Sequence, residues 1–109
     1  MATTVSATND IKADVRELAH IAIEDKASKD NIGRYADFYK IEHKDLLEKQ
    51  LKHDLVVSDI TGINQVSKRF ADKLLFVLSK YQHDGERNLI FKCIYMMVDQ
   101  ARNHARISS

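Results

Sequence analysis

Apolar positions recur along this chain at the three- and four-residue spacing of an α-helix, and they never fall into the alternation of a strand. Ile11, Val15, Leu18, Ala19 and Ala22 share one face, which Ile21 and Ile23 widen on either side. They predict a first helix from Thr8 or Asn9 to about Ala27, where the polar run Ser28-Lys29-Asp30-Asn31 begins. Thr8 or Asn9 suits the N-cap, and Asp10 and Asp14 suit the positive end of the helix dipole. A second helical region follows from about Asn31 to Asp54. Its stripe drifts: Ile32, Tyr35, Tyr39 and Leu46 share one face, while Leu47, Leu51 and Leu55 lie roughly a third of a turn or more away. Either a kink or break near Glu42–Asp45, or a change of packing partner along the helix, produces such drift.

Val56 to Gly62 reads as a connection, with Asp59 and Thr61 as caps. A third helix is predicted from Ile63 to Tyr81 or His83. Its stripe of Ile63, Val66, Phe70, Leu74, Val77, Leu78 and Tyr81 is the cleanest in the chain. Phe76 points away from it, among Arg69, Lys73 and Lys80. Asp84-Gly85 is a strong turn signal, and so short a connection predicts that the third and fourth helices pack as an antiparallel hairpin. The fourth helix should cover Glu86 to Ala105, with Arg102 and Arg106 at the end that favours cations.

Within it, Leu89-Ile90-Phe91-Lys92-Cys93-Ile94-Tyr95-Met96-Met97-Val98 is apolar nearly all round. A surface helix needs one apolar stripe, so this segment must be covered on several sides. Lys92, Asp99 and Asn103 mark a narrow solvated strip. Leu89, Cys93, Met96 and Met97 are expected to face the hairpin partner and the bundle. Phe91, Tyr95 and Val98 then lie on the far side of the arc, where a small monomer has little left to cover them. The architecture expected is an all-α four-helix bundle of up-down helical hairpins, with a second helix that is kinked or broken if the drift marks a bend. A tail at 1–8, a single domain at 9–106 and a second tail at 107–109 complete the organisation.

Composition narrows function by exclusion. The 109 residues are 30% charged and 44% hydrophobic with a net charge of +1, the make-up of one globular domain rather than a strongly basic nucleic-acid binder. Residues 1–54 lean acidic and 55–109 lean basic, an imbalance small enough for ordinary solvated surface. Cys93 is the single cysteine and sits in the apolar run, where it behaves as a small hydrophobe and not a nucleophile. Met1 to Thr8 is small and polar with acidic Asp10 after it, so no secretory leader is read there. The 89–98 run is too short to span a bilayer. A reducing, cytoplasmic setting is expected.

Candidate chemistry is thin. Glu17-Leu18-Ala19-His20 has the Glu-x-x-His spacing of a di-iron ligand pair, but it occurs once and His20 falls opposite the apolar stripe. Glu17, His20 and Glu24 read as a charged outer face. His43, His53 and His83 lack ligand spacing. Gln100 and His104 fall one turn apart within the apolar arc, either as a polar pair inside the bundle or across a dimer seam, or at a frayed end open to water. Ile60 to Arg69 has the flavour of a helix-turn-helix, yet Lys68 stands where such motifs want an apolar residue. No catalytic residue, cofactor, small-molecule ligand or metal site is predicted.

The function expected is a non-enzymatic protein-interaction module, such as a small adaptor, regulator or assembly subunit, partnered by itself as a homodimer and by an unidentified protein. Leu75, Phe76, Phe91, Tyr95 and Val98 are the contact residues expected from their position outside the simplest core stripes. The alternative is a nucleic-acid-binding regulator using Lys68, Arg69, Lys73 and Lys80 on the third helix.

Overall fold

With no proline and three glycines, little in the chain stops a helix once it has begun. The computed structural model describes residues 3–62, 66–81 and 83–108, with side chains for 11–40, 45–62, 66–81 and 83–104. Among these residues every regular element is a helix, so the all-α expectation is met.

Helix α1 (Thr3–Glu24) starts before the predicted Thr8 or Asn9. No breaker precedes that point, and once nucleated a helix gains one hydrogen bond for each residue it adds. It ends in a Schellman closure. The Ala27 amide donates to the Ala22 carbonyl at 2.8 Å and the Lys26 amide to that of Ile23 at 3.2 Å. Lys26 takes the left-handed conformation this requires, at φ 58°, without being glycine.

Helix α2 (Lys29–Thr61) opens on Ser28, whose hydroxyl accepts from the Asn31 amide, and closes on Gly62 at φ 73°. It runs through the predicted connection at Val56 to Thr61. The Ser58 and Thr61 hydroxyls bond back to the carbonyls four residues earlier, each at 2.8 Å, so these poor helix formers satisfy themselves inside the helix.

Its axis is not straight. Tyr35 and Asp54 are 19 residues apart yet hydrogen-bonded at 2.5 Å, and Arg34 donates to the same carboxylate. A straight helix would separate them by about 28 Å, further than the two side chains reach together. The chain therefore doubles back, and the midpoint falls at Lys44–Asp45, where the drifting stripe allows a kink or break. Counting both arms of α2, five helices pack together among the described residues where the periodicity predicts four.

Ser67, whose hydroxyl accepts from the Phe70 amide at 3.0 Å, caps α3 (Lys68–Lys80). The predicted start at Ile63 lies outside the described residues. Helix α4 (Asp84–Ser108) carries Asp84 and Glu86 in its first turn. From there Arg87 donates to the carbonyls of Leu78 (3.0 Å) and Tyr81, satisfying acceptors left over at the end of α3.

Among the described residues, α1 and α2 each pack along both α3 and α4. Ion pairs set the directions: Asp14 with Lys80 (2.9 Å) and Asp25 with Arg69 (2.6 Å) make α1 and α3 antiparallel. Lys29 with Asp99 (2.8 Å) and Tyr39 with Asp84 (3.1 Å) do the same for the first arm of α2 and α4. The predicted α3–α4 hairpin does not form along its length, because the flanks of α4 are taken by α1 and α2. The dimensions are 49 × 37 × 21 Å, and the thinnest is about two helix diameters. In two layers no helix can be covered on every side, so α4 must leave some of its apolar arc in water.

Candidate docking groove between α1 and α4

The uncovered part of α4 is the opposite of the one its sequence suggests. Phe91 is 3% exposed and Val98 is fully buried, because the first arm of α2 lies over them, and Phe91 packs on Tyr39 with ring centroids 5.9 Å apart. Tyr95 is half-buried beside Gly33, where an added methyl group would stand 3.7 Å from its ring. Leu75 is half-buried as well. Of the five expected contact residues, Phe76 alone is open, at 55%, and the Lys73 and Lys80 ammonium groups lie 5.4 and 5.7 Å from its ring centre. Leu89 and Met96, expected to face a hairpin partner, are instead 51% and 50% exposed. The partner expected there was α3, which has moved away.

Leu89 and Met96 border a groove of about 480 Å³ between α1 and α4. Cys93 and Met97 from α4 and Ile11 and Val15 from α1 give it apolar walls, and the long stems of Lys12 and Arg16 form the α1 rim. Gln100 closes one end, and His104, a turn further on, is exposed like Gln100, so both polar groups are open to water. Among the described residues no carboxylate lines the groove. Methionine and cysteine supply polarizable, unbranched surface that adapts its shape to whatever lies against it.

The basic face of α3 does not stand free. Lys68 pairs with Asp72 at 3.0 Å, and Arg69 with Glu24 and Asp25 at 3.0 and 2.6 Å. Lys73 pairs with Glu17 at 3.1 Å, and Lys80 with Asp14. The acidic tilt of the first half of the chain and the basic tilt of the second are in part this one seam. Hydrogen bonds from Arg69 hold the Glu24 and Asp25 carboxyls below their ordinary values and push the guanidinium higher still. His20 lies 2.5 Å from Glu24, and among the described residues no group of three metal-ligating side chains comes together. Of the helix-turn-helix segment, Lys68 and Arg69 open α3, while Ile63 to Gln65 lie outside the described residues.

Two buried carboxylates escape a sequence reading. Asp14 is 6% exposed and accepts from the Tyr81 hydroxyl at 2.8 Å and the Lys80 ammonium at 2.9 Å. Burial works to raise its pKa, but those bonds and the charges of Lys80 and Lys73 outweigh it, and the pKa is lowered. Asp54 is 5% exposed, held by Tyr35 and Arg34. Their signal was spacing: Asp14 lies three residues after Ile11 and four before Leu18, and Asp54 three after Leu51, inside the apolar stripes. A carboxylate there has to find donors on another element.

Among the described residues no helix is long and apolar enough to cross a membrane. No protein-family model, curated protein or solved structure matches the chain.

Proposed function

We propose that this chain is a non-enzymatic protein-interaction module, an adaptor, regulator or assembly subunit, and that the α1–α4 groove is its working surface. The observation that carries this is the pair Leu89 and Met96, each about half exposed on the border of an apolar groove. Exposed apolar surface that is contiguous and rimmed by polar groups is where partners bind. Phe91 and Val98 are internal, which favours the groove over a homodimer seam through those two residues. Nucleic-acid binding through α3 would require phosphates to displace carboxylates already paired with all four cations.

The test is a comparative pull-down from the native source with the wild-type chain, Met96→Glu and Phe76→Ala. A protein retained by the wild type and by Phe76→Ala but lost with Met96→Glu supports the groove. A partner lost with Phe76→Ala and kept by Met96→Glu moves the working surface to α3. Recovery of nucleic acid, indifferent to Met96→Glu, overturns the proposal.

A further inference from the structure

Resting on the groove as the working surface, we infer that its occupant is an acidic amphipathic helix of a partner protein. Such a helix would lie along α1 and α4 with its apolar edge on Leu89, Cys93 and Met96 and its carboxylates over Lys12 and Arg16. The groove runs along α4 from Leu89 to Gln100, about 16 Å or three helical turns. That length takes the i, i+3 or i+4, i+7 anchors by which a helix docks in a groove.

Charge settles the flanks. Lys12 and Arg16 are one turn apart on the same edge of α1, exposed, and in no ion pair among the described residues. The cations of α3, by contrast, are all paired. Of the carboxylates among the described residues nearby, Asp14 is engaged with Lys73 and Lys80 and Asp99 with Lys29. A second copy of this chain is a poor occupant, because a two-fold contact puts the same cation-rimmed patch on both sides, and among the described residues the groove holds no carboxylate to offset it.

Cys93, the only cysteine, lies half-buried in the groove wall and reports occupancy directly. The probe is a labelled helical peptide of about 15 residues with leucines at groove-facing spacing and glutamates on the flanks. Its twin carries lysine for every glutamate. Binding is read by fluorescence anisotropy, and the rate of Cys93 alkylation is followed in parallel. The acidic peptide should bind about tenfold or more tightly than its twin at low salt, lose that advantage as salt rises, and slow Cys93 alkylation. The double variant Lys12→Glu, Arg16→Glu should reverse the preference. Equal binding of both peptides with Cys93 protected overturns the acidic partner while leaving the groove as a docking surface. Absence of both binding and protection overturns the groove itself. Protection of Cys93 that grows with protein concentration without peptide assigns the groove to a second copy and also overturns the inference.

Discussion

The Tyr35 hydroxyl donates to the Asp54 carboxylate at 2.5 Å from the other arm of the same helical span, 19 residues away. Tyr35 is 1% exposed, and both burial and the carboxylate beside it raise the hydroxyl's pKa, so it remains a donor throughout the working pH range. Tyr35→Phe keeps the ring and removes this donor from a buried acceptor. The expected cost is about 1–2 kcal/mol, because Arg34 still reaches Asp54. A lower urea midpoint with an unchanged m-value is the result to look for.

The doubling back of α2 also has a direct distance test. If Tyr35 faces Asp54, then the exposed pair Asp30 and Asp59 face each other near the open ends of the arms. A straight helix would hold them about 44 Å apart. Spin labels on Asp30→Cys and Asp59→Cys, with Cys93 replaced by alanine, should give a separation less than half of that. A distance near the straight-helix value would refute the bend.

Periodicity alone located the cores of α1 and α3, and the drift between Tyr39 and Leu47 was the trace of the bend in α2. It could not say which neighbour covers which part of an apolar arc. Leu89 and Phe91 are equally apolar and both belong to a wide arc. Phe91 is buried because an arm of α2 lies on it, and Leu89 is exposed because α3 does not. The partners of Asp14 and Asp54 were illegible for the same reason, since each is held by a tyrosine distant in sequence. The groove is a product of packing, and only Lys12 and Arg16, one turn apart beside Ile11 and Val15, mark it in the chain.

Two helix positions carry residues that a helix would exchange to advantage. Gly33 lies inside α2, and a methyl group there meets Tyr95 at ordinary contact distance, so Gly33→Ala should stabilise by about 0.5–1 kcal/mol. Lys26 closes α1 in the left-handed conformation, and Lys26→Gly should gain a similar amount by removing the Cβ penalty. Thermal melts of the two single variants and their combination would show both gains, adding because the sites share no partner. A loss for Gly33→Ala would mean that Tyr95 packs closer than described.

Asp14 makes stability depend on pH in a stated direction. Its pKa in the folded chain is below the ordinary value of 3.8, so its contribution is fully present above about pH 4 and fades as pH falls through the folded value. Asp14→Asn keeps an acceptor for Tyr81 but loses the charge that faces Lys80 and Lys73. It should cost about 1–2 kcal/mol at neutral pH. Denaturation midpoints of the two proteins should converge as the solution is acidified below the ordinary value of 3.8. A constant gap across that range would show that the carboxylate's charge contributes nothing.

The sharpest consequence of the fold is that two neighbouring apolar residues of α4 should respond oppositely to the same kind of change. Phe91 is 3% exposed against Tyr39, and Phe91→Glu places a carboxylate in the core without a partner, at a cost of several kcal/mol. That is a large part of the whole stability of a small domain, so the variant should be unfolded or nearly so by circular dichroism. Met96 is 50% exposed, and Met96→Lys puts an ammonium group where water already reaches. Its melting temperature should stay within a few degrees of the wild type, because surface changes away from special features are worth about 0.5 kcal/mol. Were Phe91 at a dimer seam, Phe91→Glu would instead yield a folded monomer. A folded Phe91→Glu beside an unfolded Met96→Lys would mean that α4 is turned the other way about its axis, with the groove on its far flank.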